Sequence, residues 1–322
     1  MKNFKLLLLI PAIYFFSCGE METVIDLEIP AHEPVLVLNG RLDTDTNIQV
    51  LISKSVGAFE TASPSMINDA EVLLFENGTF INSLELDTHN TIYPWVNDGN
   101  WNTSTIIAMN YYKTNFIPIE NNNYRIEVNH DNYNSVSATT YIPEDIILYN
   151  ISIDSTSNTD KINFQFSFDD NIDQDNFYSL SLIASCNKVW EDDYGYDEEY
   201  DWEYKVEMNS NDPSFPVNEL FSGYTFSGDK AIFTDALFNG QQKNISIDVF
   251  TDEFTYSDCD TIKFEFSTFS DDAYKYYSSL SEQRDKGELD IFGGEVVPVY
   301  TNVTNGLGIL ISKNAQEIYI KP

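Results

Sequence analysis

The chain has 322 residues, of which 42% are hydrophobic, and its formal net charge at pH 7 is −35. This hydrophobic fraction is high enough to bury the cores of two ordinary domains, which excludes a globally disordered chain. A charge this negative repels phosphate backbones and anionic lipid surfaces. We therefore expect neither nucleic-acid binding nor electrostatic adhesion to a membrane.

Residues 1–17 are typical of a secretory signal peptide. Residues 1–5 are a short basic start, residues 6–16 are apolar apart from the break at Pro11, and the small Ser17 closes the segment. A membrane-spanning helix needs ~20 apolar residues, so this run is too short to remain in a bilayer. The three-part layout predicts export of the chain.

Cys18 follows this segment and resembles the lipidated cysteine of the bacterial lipoprotein lipobox, although Phe15 stands where the usual lipobox has leucine. In that family the cysteine becomes the first mature residue and its thiol receives a diacylglycerol. We predict a lipid anchor on Cys18 and a tether over residues 18–34, since two or more acyl chains hold a protein durably. A plain cleaved signal with an incidental cysteine is the alternative.

Residues 35–143 predict a first β-sandwich. Runs rich in β-branched and aromatic residues are bounded by turn formers, as expected for strands. Asn77-Gly78 favours a tight hairpin, because both residue types tolerate positive φ. The strand candidates are 35–40, 48–53, 70–75, 124–128 and 136–141.

Residues 87–118 interrupt this rhythm with a long segment, here named the aromatic insertion. Loops of this length inside compact domains are uncommon and often functional. Exposed rings would suit stacking on sugars or peptides, whereas large aromatic side chains are mostly buried, which favours packing against the sandwich edge. The candidate ligand-binding residues are Tyr93, Trp95, Trp101, Tyr111 and Tyr112.

Residues 144–322 predict a second β-sandwich with one helix. Residues 161–168 alternate in polarity, which predicts a half-buried strand. The period then changes, because apolar residues at 273, 276, 277 and 280 form the stripe of an amphipathic helix at about 271–286. The strand candidates are 151–153, 161–168, 177–185, 205–208, 230–233, 243–250, 261–269, 296–300 and 307–312.

Cys186 and Cys259 leave two alternatives open. An exported protein meets oxidising conditions, which favours a disulfide between them. Both cysteines also lie in apolar, strand-like surroundings, which suits two buried free thiols.

Residues 191–203 contain eight carboxylates interleaved with aromatic residues. Clustered carboxylate oxygens are ligands that Ca²⁺ prefers, and no other cofactor is expected. A solvated hairpin tip, whose charges keep a strand edge from pairing, is the favoured interpretation because no ligand spacing here is diagnostic. The candidate metal ligands are Asp192, Asp193, Asp197, Glu198 and Glu199.

Short motifs follow one another in a fixed order along nearly the whole chain, at residues 24–27, 34–40, 53–55, 67–72, 276–280, 297–303 and 306–309. Together they resemble a family of Bacteroidota described as domain of unknown function DUF4249. The first block also resembles the transthyretin-like sandwich of carboxypeptidase regulatory domains, and the second is fibronectin-like or immunoglobulin-like.

This resemblance implies an outer-membrane lipoprotein, at the cell surface or on the periplasmic face, that is often encoded beside a TonB-dependent transporter. It carries over no catalytic residues. The resulting hypothesis is a non-catalytic binding or scaffold accessory of such a transporter, with an unknown ligand. A cell-surface adhesive or structural module is the alternative. A carbohydrate-active enzyme, which needs only two facing carboxylates, is the less favoured third.

Overall fold

The computed structural model describes residues 32–57, 65–97, 104–154, 160–191, 197–219, 223–250, 259–287 and 297–320. The chain from Pro34 to Pro322 forms one compact unit. The predicted signal peptide, Cys18 and most of the predicted tether lie outside the described residues. Within the described ranges, no helix has the length and apolar character needed to cross a membrane.

The first part of the unit consists of short antiparallel strands joined by turns. Asn77 and Gly78 connect two of them at φ values of 49° and 82°, which confirms the predicted hairpin. The strands are β1 (Leu36–Asp43), β2 (Gln49–Lys54), β3 (Ser65–Met66), β4 (Glu71–Glu76), β5 (Thr79–Leu86), β6 (Trp95–Asn97), β7 (Ser104–Ile106), β8 (Tyr112–Lys113), β9 (Asn123–His130) and β10 (Tyr133–Tyr141).

Alternate side chains of these strands share one apolar core. On β9, Tyr124, Ile126 and Val128 are fully buried, and Leu74 on β4 and Val136 on β10 pack in the same cluster. Every second side chain of a strand points to the same face of its sheet. The side chains of β9 therefore alternate between this core and the other face of the sheet.

The second part contains longer strands and the helix. β12 and β18 pair antiparallel without interruption, from Lys161 opposite Phe250 to Asp169 opposite Gln242. The elements are β11 (Tyr149–Asp154), β12 (Lys161–Asp169), β13 (Phe177–Glu191), β14 (Asp197–Val206), β15 (Met208–Ser210), β16 (Phe226–Gly228), β17 (Lys230–Thr234), β18 (Gln242–Phe250), β19 (Cys259–Phe269), α1 (Asp271–Gly287) and β20 (Leu307–Ile320).

Two sheets form the layers around the core of the second part, and the larger of them also contains strands of the first part. The larger sheet follows the order β10-β9-β4-β5-β8-β2-β1-β20-β19-β13-β14, with β3 beside β2 and β17 beside β13; the smaller follows β11-β12-β18-β15-β16. Phe166 of the smaller sheet packs edge-on against Phe264 and Phe266 of the larger one. The mainly β, sandwich-type fold is confirmed. The two domain types and the boundary at residues 143 and 144 stay predictions.

The chain changes sheets at Glu207. The sequence predicted one strand at 205–208, but β14 ends at Val206 in the larger sheet and β15 begins at Met208 in the smaller one. Val206 and Met208 are fully buried in the same core. The break at Glu207 therefore lets Val206 of the larger sheet and Met208 of the smaller sheet fill the same core.

Helix α1 confirms the helix predicted at about 271–286. Ser270 caps its start, because the Ser270 hydroxyl oxygen accepts the N–H of Ala273 at 3.2 Å. Ala273, Tyr276 and Tyr277 pack in a small cluster with Ile309 of β20. The predicted apolar stripe thus covers the sheet.

Strand β20 joins the end of the fold to its beginning. It pairs parallel with β1, starting at Val37 opposite Leu307, and antiparallel with β19. Leu310 lies in the apolar core of the first part, here called the first core. Ile318 packs against the apolar core of the second part, the second core. The sequence predicted only residues 307–312 as this strand. The strand predicted at 296–300 is wrong for its described residues 297–300, which lie outside any strand.

Candidate functional site

The described part of the aromatic insertion forms a hairpin, β6 with β7, that is a separate two-stranded sheet. Trp95 on β6 lies directly opposite Ile106 on β7. Below this pair, Ile92 and Met109 exchange two backbone hydrogen bonds of 3.0 and 2.9 Å. The ladder and the Ile92–Met109 bridge hold the two strands of this segment together.

Two aromatic rings of this hairpin face solvent. Tyr93 is 63% exposed and Trp95 is 70% exposed, and Ile92 and Ile106 beside them are 42% and 49% exposed. We call these four residues the hairpin face. Packing against the sandwich edge, the interpretation that sequence favoured, does not describe these two rings. Trp95 and Ile106 are cross-strand partners, so their exposed side chains are neighbours, and exposed apolar surface of this kind is found at interaction sites.

Tyr112, another candidate, is a core residue. Its side chain is 2% exposed, and its hydroxyl donates to the Ile67 carbonyl at 3.1 Å and accepts the N–H of Ala70 at 2.9 Å. Burial raises the pKa of this hydroxyl. Its ring is therefore not available for stacking on a ligand. Tyr111 is half-buried, and Trp101 lies outside the described residues.

An open hollow of about 740 Å³ lies at the root of the hairpin. Its size falls within the roughly 300–1,000 Å³ range of ligand pockets. We call it the polar hollow, because polar groups from β5, β8 and the start of the aromatic insertion dominate its walls. The lining residues include Asn82, Asp87, Lys113 and Thr114.

The polar hollow contains one balanced ion pair. Lys113 Nζ lies 2.9 Å from Asp87 Oδ2, and the side-chain amide of Asn90 donates to the same oxygen at 2.8 Å. The hydrogen bonds from Asn90 and Lys113 hold the pKa of Asp87 far below its ordinary value. Asp87 is therefore an acceptor that stays charged across the physiological pH range.

Asn82 adds an unsatisfied group to the same hollow. Its Nδ2 donates to Thr114 Oγ1 at 2.7 Å, while its Oδ1 is buried and has no hydrogen-bond partner among the described residues. A buried acceptor without a partner costs ~1–3 kcal/mol. A ligand that donates a hydrogen bond to Asn82 would recover that cost.

The described ends of the acidic run, Glu191 and residues 197–203, lie on β13 and β14. The backbones of β13 and β14 pair up to Glu191 opposite Asp197. Asp192 and Asp193 lie outside the described residues, and the side chains of Asp197, Glu198 and Glu199 are not described. In the ranges that are described, no three His, Cys, Asp or Glu side chains come together as a metal site. The Ca²⁺ hypothesis therefore stays a prediction.

Cys186 and Cys259 form a disulfide in the structure. They are direct cross-strand partners on β13 and β19. Cys186 is only 4% exposed and belongs to the second core. The bond thus ties two neighbouring strands of the larger sheet together.

Sequence reasoning missed the residues of the polar hollow. Asn82 lies on β5, Asp87 just after it and Lys113 on β8, so only the pairing of β5 with β8 brings them together. Isolated polar residues in strands have no distinctive local pattern. One local signal was available, because Lys113 directly follows Tyr112. Neighbouring strand residues point to opposite faces, so a Tyr112 side chain in the core places that of Lys113 on the outer face.

Comparison with known proteins gives a family and little else. The family described as "Domain of unknown function (DUF4249)" matches residues 22–318. No curated protein matches the chain. Among solved structures, the chain is similar to a "Biofilm associated protein - B domain" at 6% identity, covering 88% of this chain and 85% of that one, with a TM-score of 0.17. A likeness at that TM-score supports no conclusion.

Proposed function

Because this chain belongs to the family described as domain of unknown function DUF4249, we propose that it is an outer-membrane lipoprotein of Bacteroidota. It acts as a non-catalytic binding or scaffold partner of a TonB-dependent transporter. The lipid on Cys18 holds it at the membrane, and the hairpin face contacts the partner. The observation that carries the proposal is the exposure of Tyr93 and Trp95.

The charge of the chain supports a lipid anchor. A formal net charge of −35 is repelled by an anionic membrane surface. A protein of this composition that stays at a membrane therefore needs another attachment. Acyl chains supply it, because each buried methylene contributes ~0.8 kcal/mol.

The hairpin face supports a protein partner. Tyr and Trp are enriched at protein interfaces and often dominate their binding energy. Trp95 lies in the β6–β7 ladder and Tyr93 lies between this ladder and the Ile92–Met109 bridge, which limits the conformational freedom that binding would remove. Their exposure on a chain that is otherwise strongly acidic favours a partner with an apolar groove.

Replacing Cys18 by serine tests the anchor. The Cys18→Ser protein should leave the membrane fraction and lose labelling by a palmitate analogue. Retention of the variant in membranes, with lipid label, would overturn the anchor. The matched control is Ser17→Ala, which keeps a small residue before the cysteine and should stay anchored.

Co-purification in mild detergent tests the partner. The wild-type chain should recover a TonB-dependent transporter, and the double variant Tyr93→Ala/Trp95→Ala should lose it. The control is Tyr319→Ala, which removes a ring that is 64% exposed on β20. Recovery of the wild-type chain without any transporter would refute the proposal. Loss of cell attachment with normal transport in cells lacking the protein would favour the adhesive alternative.

A further inference from the structure

A second polar cleft lies on the smaller sheet, far from the aromatic insertion in sequence. It encloses about 320 Å³, at the lower end of the roughly 300–1,000 Å³ range of small-ligand pockets. Polar side chains and one tyrosine form its walls. The walls include Asn209, Asp212, Tyr224, Asn244, Ser246 and Asp248.

The strand register places the cleft on the outer face of the sheet. Asn209 on β15 and Asp248 on β18 are cross-strand partners. Their sequence neighbours Met208 and Val249 are fully buried in the core on the other face. Because side chains alternate along a strand, Asn209 and Asp248 point together away from the core.

Asn209 presents a buried donor that nothing satisfies. Its side chain is only 4% exposed, and its Nδ2 has no hydrogen-bond partner among the described residues. Buried side-chain donors in folded proteins are bonded with few exceptions, and each exception calls for an explanation. Here the amide lines a cleft wide enough for a small molecule, so an acceptor atom of a ligand would complete it.

The charges of the cleft are balanced from within the protein. Lys161 Nζ lies 2.5 Å from Asp248 Oδ2, and Lys243 Nζ lies 2.6 Å from Asp212 Oδ1. Burial raises the pKa of Asp248, but the hydrogen bonds from Lys161 and from Asn163 outweigh it and leave that pKa below its ordinary value. Both carboxylates thus act as acceptors whose charge a lysine already neutralises.

This balance of charges determines which chemical class of ligand the cleft can bind. An anion would meet two carboxylates at the walls, and an apolar ligand would desolvate amides and hydroxyls without replacing their hydrogen bonds. A cation would have to displace Lys161 or Lys243 from its partner. A neutral molecule with many hydroxyl groups fits, because each hydroxyl both donates and accepts.

One aromatic ring completes the set. Tyr224 is half-buried and donates its hydroxyl to Asp248 Oδ2 at 2.7 Å, which fixes the ring at the wall of the cleft. A tyrosine held in this way offers an apolar face beside polar groups. The apolar face of a sugar ring is the natural counterpart of such a surface.

We propose that this cleft binds a neutral saccharide. The Asn209 amide donates a hydrogen bond to one of the sugar oxygens, and Asp248 and Ser246 accept hydrogen bonds from the sugar hydroxyl groups. The site goes beyond the transporter partnership and does not depend on the hairpin face or on the lipid. Its ligand class would also assign a cargo or surface glycan to the protein.

Saturation-transfer NMR on the purified soluble chain from residue 19 onward tests this proposal. The probes are glucose, galactose, mannose, xylose, fucose and N-acetylglucosamine, each at millimolar concentration. At least one should receive saturation, and galacturonic acid, as the anionic control, should not. Absence of transfer to all six neutral sugars would overturn the proposal, as would transfer to galacturonic acid alone.

Two variants then locate the site. Asn209→Ala should weaken binding of the positive sugar at least tenfold without lowering Tm, because it removes an Nδ2 donor that has no partner among the described residues. Ser246→Ala, at an exposed position on β18, should weaken the same sugar from the opposite wall. The matched control is Asn82→Ala, which changes an amide in the polar hollow whose Oδ1 also lacks a partner within the described ranges. Loss of binding in Asn82→Ala with full binding in Asn209→Ala would place the sugar in the hollow and refute the cleft.

Discussion

Leu38 and Gly308 are opposite each other in the parallel ladder that joins β1 to β20, and they approach so closely that no side chain fits between them. A Cβ on Gly308 would lie 2.1 Å from the carbonyl oxygen of Leu38, and Gly308 has a φ of 104°. The contact holds the two ends of the fold together.

Gly308→Ala should therefore lower the free energy of unfolding by about 3 kcal/mol or more, since backbone strain and a backbone clash add. Urea denaturation measures the loss. Gly78→Ala is the matched control, because Gly78 has a φ of 82° with nothing within 4 Å of the added Cβ. The control should lose only ~1–2 kcal/mol from the left-handed conformation. Equal losses in the two variants would show that the close approach is unimportant.

The contrast between local and distant features explains what sequence could predict. The alternation on β12 and the stripe on α1 are local, and each predicted the observed element to within one residue at its end. The parallel pairing of β1 with β20 has no local signature, because its partners lie at opposite ends of the chain. The final strand was consequently assigned to the second sandwich alone.

The candidate sites follow the same division. Composition identified the aromatic insertion, and two of its rings are exposed. Composition did not distinguish Tyr111 from Tyr112, since their different burial depends on which face of β8 meets the core. The cleft around Asn209 was not anticipated, because its walls come from β15, β18 and the segment before β16, and single Asn or Ser residues carry no pattern.

Lys230 should destabilise the fold at neutral pH. Burial lowers its pKa to about 8, while Glu265 acts in the opposite direction and Lys313 adds to the lowering. The rings of Tyr277 and Phe269 lie 4.7 and 5.0 Å from its Nζ. Their attraction for the ammonium group offsets part of the free-energy cost of burying its charge. Lys230→Met should raise the free energy of unfolding at pH 7 by about 1–2 kcal/mol.

The pH dependence gives an independent check on Lys230. Its folded pKa lies below the ordinary 10.5, so the unfolded chain binds more protons between pH 8 and 10.5. The free energy of unfolding of the wild-type protein should therefore rise relative to that of Lys230→Met as pH rises through this window, so that the difference between the two shrinks. Lys275→Met, at an exposed lysine of α1, should show no such convergence. A constant difference from pH 7 to pH 10 would contradict the assignment.

The disulfide between Cys186 and Cys259 spans a sequence separation of 73 residues. Closing a loop of this length in the unfolded chain contributes at most about 4 kcal/mol in the chain-entropy model. The double variant Cys186→Ala/Cys259→Ala should therefore lose up to that amount. Wild-type protein treated with a phosphine reductant should match the variant. A variant as stable as the oxidised wild type would rule out a stabilising bond.

Tyr178 and Asp170 form a buried pair at the edge of the second core. The Tyr178 hydroxyl donates to Asp170 Oδ1, and Asp170 Oδ2 accepts the N–H of Gly240 at 2.7 Å. Burial raises the pKa of Asp170, against the lowering effect of the Tyr178 hydrogen bond. Tyr178→Phe leaves a buried carboxylate short of one donor, which should cost about 2 kcal/mol at pH 7.

The cost should shrink on acidification, because the Tyr178 hydrogen bond lowers the pKa of Asp170 and its loss raises that pKa further above the ordinary 3.8. The Asp170 carboxyl of the folded variant therefore takes up its proton at a higher pH than that of the wild type, so the variant recovers more stability as pH falls towards 3.8. Denaturation of the wild type and of Tyr178→Phe at pH 7 and pH 4 measures the change. Tyr149→Phe is the matched control, since Tyr149 donates to the neighbouring Asp169 at 2.7 Å in an exposed position. That control should be neutral at both pH values, and a Tyr178→Phe cost that does not change with pH would place the loss in packing instead of in the carboxylate.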